Sequence, residues 1–362
     1  MTSGAFPFEA NPNPVDAADR AARLVDPGFG RVFTDHMVTI RYSDAKGWHD
    51  AKVGPRAPLT LDPATAVLHY AQEIFEGLKA YRLADGSMAL FRPEQNARRF
   101  QRSAKRLAMP ELPEDMFLQA CKQLVQVDKD WFPPVDGGSI YLRPFMIASE
   151  VFLGVKPSAE YLFMVIASSA GNYFKSGAPA ISIWVSEQYT RAARGGTGAA
   201  KCGGNYAASL VAQSEAIREG CDQVVFLDAA EHRWVEELGG MNLFFLFDDG
   251  SLLTPPADGT ILEGITRDSV LTLARAQGLT VREERYAMDQ WRADAESGRL
   301  VEVFACGTAA VVTPVGTVKS TQGVFTIGAG GAGQMTQQIR TKLVDIQRGA
   351  AADTHGWVHR ID

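Results

Sequence analysis

A single lysine in the middle of the chain lies between two glycine-rich flanks. The segment Gly195–Tyr206 reads GGTGAAKCGGNY, with Lys201 at its centre. Helical spacing of apolar residues follows, so we predict one helix from Asn205, a good N-cap, to Gly220, a good C-terminal stop. Its face would carry Ala207, Leu210, Val211, Ser214 and Ile217. Lys201 is therefore expected on a loop, where glycines let the backbone approach a bulky ligand.

Two functions compete with the default interpretation of Lys201 as a solvated loop residue. A tight site that excludes water favours the neutral amine, which attacks carbonyls, so Lys201 is a candidate Schiff-base lysine. The other is a phosphate-cradling loop, because the segment from Gly195 nearly spells G-x-x-x-x-G-K-[ST]. Ala200 replaces the second glycine and Cys202 replaces the hydroxyl that would hold magnesium, so the second hypothesis is rejected.

Size and composition exclude several classes of protein. A chain of 362 residues is longer than a single hydrophobic core usually supports, which predicts two domains. With 46% apolar and 22% charged residues the chain is typical of a soluble globular protein, and a net charge of −6 gives no reason to expect nucleic acid. No run approaches the roughly 18 to 20 apolar residues of a membrane span, and the first residues lack the apolar segment of a signal peptide.

The cysteines and histidines predict neither a disulfide framework nor a metal site. The four cysteines are scattered without a C-x-x-C pair, and the six histidines never fall at a metal-ligand spacing. Unpaired cysteines fit a reducing compartment, so we expect a cytoplasmic protein.

Alternating and helical spacings of apolar residues outline the first half of the chain. The expected elements are an irregular arm to about residue 30, strands at 31–42 and 47–53, a hairpin with a two-residue turn at Asp85-Gly86, helices from Pro93 and over 113–127, and strands at 139–147 and 161–168. Tyr141 and Arg143 alternate to one strand face and could hold a carboxylate, although a cross-strand ion pair would give the same pattern. One of Arg99, Arg102 and Arg106 on the first helix could bind an anion, but spacing does not select it.

Small residues, glycine and proline concentrate over residues 169–179, where we place the domain junction. The expected division is an N-terminal domain of residues 1–170, an interdomain loop of 171–180 and a C-terminal domain of 181–362.

The second half contains three turns suited to ligands. Residues 235–242 read as a turn between strands, in which Glu236 and Glu237 face solvent by default, although one could point inward. Leu262–Arg267 precedes a helix, and a helix N-terminus after a glycine offers N–H groups to a phosphate. Residues 306–310 form a small-residue turn between two more strands.

The segment Gly328–Gly333 matches the dinucleotide-binding pattern G-x-G-x-x-G. That fold needs a second parallel strand after the following helix. We expect no strand in Ala350–Asp362, so we predict a plain loop.

Several of these segments together resemble branched-chain aminotransferases, which are pyridoxal-phosphate enzymes of fold type IV. The matching segments are Phe75–Tyr81, Leu90–Pro93 with Arg99, Tyr141–Pro144, Gly195–Tyr206, Glu237 with Gly239–Phe244, Gly264–Arg267 and Gly307–Ala309. The resemblance implies an α+β or α/β chain of two domains, similar to D-amino-acid aminotransferase, with a small α/β domain and a larger domain around a β-barrel-like core.

The resemblance also implies roles for individual residues. Lys201 would form the Schiff base with pyridoxal 5′-phosphate and shuttle the proton, Glu237 would pair with the pyridine nitrogen, and Tyr206 would bond the phenolic oxygen. The implied phosphate ligands are Arg99, Ile265, Thr266 and Thr308, with Arg191 near the phosphate. The implied substrate residues are Phe75, Tyr141 and Tyr173 around the side chain, Arg143 at the carboxylate of glutamate, Thr308 and Ala309 at the α-carboxylate, and Tyr70 and Val155 from the second subunit of a homodimer.

The implied reaction moves the amino group of L-leucine, L-isoleucine or L-valine to 2-oxoglutarate, giving the branched 2-oxo acid and L-glutamate. The enzymatic alternatives are other fold-type-IV members, a D-amino-acid aminotransferase or an aminodeoxychorismate lyase, and the Tyr141–Arg143 segment argues against both by resemblance. A non-catalytic binding protein of the same fold is the alternative from another class.

Overall fold

The computed structural model describes residues 4–135, 137–171 and 180–361, and the chain divides into two compact units. The first comprises Met1–Tyr173, Ala200–Gly203 and Ile346–Asp362, and the second comprises Phe174–Ala199 and Gly204–Asp345. Most of the predicted junction, residues 172–179, lies outside the described residues. The C-terminal stretch belongs to the first unit, and not to the predicted domain of 181–362, because its last strand pairs within the first sheet.

One antiparallel sheet organises the first unit. Its strands, labelled in chain order, are β1 (Val32–Ser43), β2 (Gly47–Pro55), β3 (Glu73–Phe75), β4 (Leu78–Arg82), β5 (Met88–Phe91), β6 (Ser139–Ala148), β7 (Glu160–Ala170) and β17 (Val358–Ile361). They follow the order β17-β5-β4-β6-β7-β1-β2, and β3 pairs with β6. The predicted strand pair and the two predicted later strands are thus confirmed as β1, β2, β6 and β7.

The helices of the first unit pack aromatic side chains against this sheet. They are α1 (Ala17–Leu24), α2 (Val67–Tyr70), α3 (Pro93–Arg106), α4 (Glu114–Val127) and a 3-10 turn (Lys129–Trp131). Phe100 of α3 lies 5.6 Å from Phe117 of α4 and 5.5 Å from Phe163 of β7, measured from ring centroids. Burying such rings contributes about 1.5–3 kcal/mol each, which fixes α3 on the sheet.

Two local predictions in this unit are wrong. The predicted irregular arm contains α1, because the Asp16 carboxylate caps it by accepting the N–H groups of Ala18 and Asp19. The predicted two-residue turn is longer, since the N–H of Leu83 donates to the carbonyl of Ser87 and leaves three residues in the turn. Gly86 has φ +83° there, a conformation that favours glycine.

The second unit is built on a sheet that closes into a barrel. Its strands are β8 (Ile181–Ser186), β9 (Gln223–Leu227), β10 (Val235–Leu238), β11 (Met241–Phe247), β12 (Ser251–Thr254), β13 (Thr280–Glu283), β14 (Leu300–Gly307), β15 (Val311–Ser320) and β16 (Gly323–Thr326). The path β10-β9-β8-β15-β14-β11 returns to β10, which closes a ring of six of the described strands. The β-barrel-like core of the expected fold is confirmed.

The helix predicted after the lysine is divided in two. The described helices here are α5 (Gly203–Ala207), α6 (Leu210–Arg218), α7 (Ile265–Ala276), α8 (Met288–Glu296) and α9 (Gln334–Gln347). The break falls at Ser209, whose hydroxyl donates to the Tyr206 carbonyl and competes with the helical pattern. The predicted apolar face is also wrong, because Leu210, Val211 and Ile217 are exposed. The face that packs on β9 consists of alanines instead.

The loop predicted at Gly328–Gly333 is confirmed, but the reason for it is different. Residues 350–362 do contain a strand, β17, which pairs antiparallel with β5. The preceding strand, β16, pairs antiparallel with β15, so a parallel βαβ unit is not formed by these elements. Separately, no helix within the described ranges is both long enough and apolar enough to cross a bilayer.

Candidate active site

Hydrogen bonds on both sides of Lys201 anchor its backbone within the first unit. Its N–H donates to Ser103 Oγ on α3 at 2.9 Å, and its carbonyl accepts the N–H of Phe75 at 2.9 Å. Gly203 N–H donates to the Glu73 carboxylate. The Lys201 Nζ lies 4.9 Å from the centroid of the Phe75 ring. Lys201 thus lies on a loop, as predicted, with a fixed backbone and a partly buried side chain whose amine lies beside an aromatic face.

A buried ion pair begins at the residue that follows β3 in the chain, Glu76. Arg99 donates to both carboxylate oxygens of Glu76, at 2.7 and 2.8 Å, and both side chains are almost fully buried. Asn96 adds a donor at 2.7 Å. Burial alone raises the pKa of Glu76, but the charge and hydrogen bonds of Arg99, with help from Lys201 and Asn96, hold it below its ordinary value.

Tertiary packing selects Arg99 from the arginines of α3. Arg102 and Arg106 are exposed, whereas Arg99 is 4% exposed. The sequence missed the partner, Glu76, to which no role was assigned. A carboxylate inside the strand-like run 74–81 was the signal that could have found it, since an unpaired charge is seldom buried.

Tyr141 and Arg143 share one face of β6, as their spacing predicts. Arg143 Nη2 donates to the Tyr141 hydroxyl at 3.2 Å, and the guanidinium lies 4.7 Å from the Phe75 ring centroid. Arg143 Nε is a buried donor that finds no hydrogen-bond acceptor among the described residues. A Cβ at Gly77 would stand 2.0 Å from the Tyr141 hydroxyl, so this position requires glycine. The cluster offers an apolar wall with one cation at its edge.

Tyr70, Val155 and Tyr173 are the other residues of this half of the chain that the resemblance assigns to the substrate. Tyr70 ends α2 and its ring lies 6.2 Å from that of Phe152 in a stacked arrangement. Val155 is 92% exposed, which leaves it available to a second molecule. Tyr173 lies outside the described residues.

In the second unit, Arg191 and Glu237 form a buried ion pair. Arg191 Nη2 lies 2.7 Å from Glu237 Oε2, and the side chains are 5% and 2% exposed. The same guanidinium donates to the carbonyls of Thr260 and, at 3.4 Å, Gly198. Glu237 also accepts the N–H of Leu262 at 3.3 Å. Arg191, expected near a phosphate, here contacts the carboxylate expected to pair with the pyridine nitrogen.

Glu236, which precedes Glu237 on β10, is buried as well. Its Oε1 accepts the hydroxyl of Thr260 at 2.6 Å, while Oε2 is a buried atom with no partner among the described residues. Burial raises the pKa of Glu236, and the Thr260 hydrogen bond and the charge of Arg191 oppose that shift. The default expectation that Glu236 and Glu237 face solvent is wrong, because β10 pairs with strands on both sides.

Tyr206 lies on α5, where its ring packs against the backbone of the β10–β11 turn. A Cβ at Gly240 would stand 3.2 Å from Tyr206 Cε1, so a glycine gives the ring its space. Asn205 does not cap a long helix as predicted. Its amide donates to the Thr197 carbonyl at 2.8 Å and its oxygen accepts the Thr197 hydroxyl at 2.6 Å, which ties α5 to the glycine-rich loop.

The predicted helix, α7, begins at Ile265, inside the segment expected to precede it, and its N-cap residue is Gly264, which has no side chain to cap it. Its second residue, Thr266, is buried. The Asn242 amide donates to the Leu262 carbonyl at 3.1 Å and fixes the approach to the helix. Thr308 and Ala309 follow β14 in the predicted turn. The first N–H groups of a helix and the positive end of its dipole suit a phosphate.

Comparison with known proteins identifies the family. The family described as Amino-transferase class IV matches residues 73–318. The probable branched-chain-amino-acid aminotransferase of Streptomyces coelicolor is 58% identical over 362 residues, all of both chains. The solved enzyme of that name from Escherichia coli has a TM-score of 0.71 at 31% identity over 84% of this chain and 94% of its own.

A second similar structure was solved with a ligand bound. The branched-chain amino acid aminotransferase of T.th., solved with pyridoxamine 5′-phosphate, has a TM-score of 0.73 at 30% identity, covering 89% of this chain and 98% of its own. The chain therefore belongs to the class IV aminotransferases and, within them, to the branched-chain-amino-acid aminotransferase family.

Proposed function

We propose that the protein transfers the amino group of L-leucine, L-isoleucine or L-valine to 2-oxoglutarate, with pyridoxal 5′-phosphate held at Lys201. The observation that carries the proposal is the anchored Lys201 amine beside Phe75 in a chain 58% identical to a probable enzyme of this name. When bound, the cofactor supplies an aldehyde that condenses with amines and a protonated ring that accepts electrons.

The residues present fit the phosphate of this cofactor. We propose that the N–H groups of Ile265 and Thr266, the hydroxyl of Thr308 and the guanidinium of Arg99 bind it. The position of Gly264 before the first turn of α7 and the buried guanidinium support this assignment. Cofactor binding by Arg99 is expected to occur with its Glu76 partner in place, since a guanidinium has five donors.

Glu237 and Tyr206 are proposed to hold the ring. Glu237 forms an ion pair with Arg191, and a carboxylate beside the pyridine nitrogen would keep that nitrogen protonated. The contacts of Arg191 therefore support an action through Glu237, while its place near the phosphate follows from the resemblance alone. Tyr206 would donate to the phenolic oxygen, and Lys201 would move the proton at the substrate α-carbon.

The substrate assignment rests on the cluster around β6. We propose that Phe75 and Tyr141, with Tyr173, enclose an apolar side chain, and that Arg143 meets the second carboxylate of glutamate. The buried Nε of Arg143, which meets no acceptor in the described part of the chain, supports this role, because such a donor suits an incoming carboxylate. The N–H groups at Thr308 and Ala309 would take the α-carboxylate.

We further propose that the enzyme is a homodimer of the cytoplasm. Tyr70 and Val155 would reach the site of the second copy, and the exposure of Val155 supports this. The absence of disulfides among the four described cysteines, all buried, fits a reducing compartment. Light scattering across a dilution series tests the dimer.

An absorbance titration tests the reaction. The holo protein should carry the visible band of the cofactor bound to a lysine amine, and L-leucine should remove that band. Lys201→Ala should lose both the band and turnover, while Lys105→Ala, which changes an exposed lysine of α3, should keep both. D-leucine distinguishes the D-amino-acid alternative. A band that persists in Lys201→Ala, or a response to the D enantiomer alone, contradicts the proposal.

A further inference from the structure

Glu73 is a carboxylate beside the lysine loop that the proposed chemistry does not use. It begins β3 two residues before Phe75, so both side chains leave the strand on the same side. Strand β3 pairs with β6, which carries Tyr141 and Arg143. The side chain is partly buried in the first unit.

The first contact of Glu73 is with the segment that carries the catalytic amine. Its carboxylate accepts the N–H of Gly203, two residues after Lys201. A Cβ at position 203 would stand 2.2 Å from Glu73 Oε1, so the close approach requires glycine or a displaced carboxylate. Together with the bond from Lys201 N–H to Ser103 Oγ and the bond from Phe75 N–H to the Lys201 carbonyl, this bond fixes both ends of the Lys201–Gly203 segment.

The second interaction of Glu73 is electrostatic. Burial raises the pKa of Glu73, and the hydrogen bond from Gly203 and the positive charge of Arg143 oppose that shift. Arg143 rests on the Phe75 ring and donates to the Tyr141 hydroxyl. A guanidinium that meets no substrate carboxylate still needs a compensating charge when it is partly desolvated, and Glu73 supplies one.

We propose that Glu73 is a positioning residue for Lys201 and a specificity-determining residue for the two substrate classes. Its hydrogen bond holds the lysine segment, and its charge competes with the side-chain carboxylate of glutamate for Arg143. A branched substrate carries no second carboxylate. When it binds, the negative charge of Glu73 continues to compensate the positive charge of Arg143. Glutamate must overcome repulsion by Glu73. The inference rests on the proposed function, because it assigns Arg143 to the second carboxylate.

Two substitutions separate the two roles. Glu73→Gln keeps an oxygen that accepts the Gly203 N–H but removes the charge, whereas Glu73→Ala removes both. Glu114→Gln is the matched control, since it neutralises an exposed carboxylate of the same unit that pairs with Arg98 at 3.2 Å. The cofactor half-reactions with L-glutamate and with L-leucine are followed by stopped-flow absorbance at mildly alkaline pH.

We expect Glu73→Gln to tighten the apparent Kd for glutamate by about three- to tenfold, as removal of one nearby like charge implies. The value for leucine and both rate constants should change by less than about twofold. Glu73→Ala should slow the half-reaction about tenfold with both donors, through a misplaced amine. Equal changes for glutamate and leucine in Glu73→Gln, or no change, overturn the specificity role.

Hydrogen–deuterium exchange tests the positioning role without turnover. The peptide containing Gly203 should exchange faster in Glu73→Ala than in the wild type and at the wild-type rate in Glu73→Gln, with and without cofactor. Unchanged exchange in Glu73→Ala overturns that role. A wild-type enzyme that reacts with neither donor contradicts the proposed function instead, and the exchange experiment remains decisive for the bond.

Discussion

Glu76→Gln is the most informative single change in the first unit, because it removes one charge and keeps the shape of the side chain. Oε1 of Glu76 accepts from Arg99 Nε at 2.7 Å, and Oε2 accepts from Arg99 Nη2 at 2.8 Å and Asn96 Nδ2 at 2.7 Å. The N–H of Gly77 also donates to Oε2, at 3.2 Å. A glutamine oxygen can replace only one of these acceptors, so its NH₂ group must face other donors.

The expected cost follows from burial. Glu76 is 0% and Arg99 is 4% exposed, so water cannot replace the lost charge. Removing one partner of a buried ion pair typically costs about 3–5 kcal/mol. For a unit of this size each kcal/mol lowers Tm by roughly 2–4 °C, which predicts a fall of about 6–20 °C.

Thermal unfolding by circular dichroism measures the effect. Glu114→Gln is again the control, since its ion pair with Arg98 is exposed and should contribute under about 1 kcal/mol. The double variant Glu76→Leu with Arg99→Met should be more stable than Glu76→Gln, because it leaves no uncompensated buried charge.

The same pair predicts a dependence on pH. The pKa of Glu76 is lower in the folded protein than its ordinary value. Its contribution to stability is therefore complete above the unfolded pKa of about 4.3 and is lost as pH falls through the folded value. Because glutamine resembles the protonated acid, the difference in Tm between wild type and Glu76→Gln should shrink on acidification. A fall in Tm of less than about 2 °C at neutral pH, or a difference that grows in acid, refutes the reasoning.

Three further outcomes follow from the second unit. Glu237→Gln should retain cofactor but lose most turnover in a steady-state assay, because a neutral amide beside Arg191 no longer keeps the ring nitrogen protonated; turnover within about twofold of wild type contradicts this. Thr260→Val should lower the free energy of unfolding in urea by about 1–3 kcal/mol, because the buried Glu236 carboxylate loses the hydroxyl that donates to it. A change near zero would mean that water reaches that carboxylate. Gly198→Ala should lower the free energy of unfolding more than Thr260→Val does, because the new Cβ would lie 2.5 Å from the Thr260 carbonyl oxygen. A variant as stable as the wild type would show that the backbone can shift to relieve this clash.

Local sequence patterns were sufficient for much of the secondary structure. Strands β6 and β7 and helices α4 and α7 follow their apolar spacing closely, since each buries one continuous face and the period is a property of neighbouring residues. The motif around Lys201 also predicted a candidate reactive segment, because its glycines and its lysine are adjacent in the sequence.

Contacts distant in sequence decided the rest. Strand β17 pairs with β5 across more than 260 residues, and the β10–β11 pairing closes the barrel, so no local period reveals either. The helix after Lys201 is divided at Ser209, whose hydroxyl bonds the Tyr206 carbonyl. The alanine face of α6 is buried because β9 packs against it.

The same division holds for the charged side chains. The sequence named Arg99 only through resemblance, whereas the fold shows why it differs from Arg102: it alone turns inward to Glu76. No local pattern marks Glu73, because the two groups with which it interacts, the Gly203 N–H and the Arg143 guanidinium, are distant from it in the sequence. The composition and the motifs of the sequence thus indicated the chemistry of this chain. The tertiary structure determined which charged side chains are buried and which groups compensate their charge, because packing sets both burial and distance.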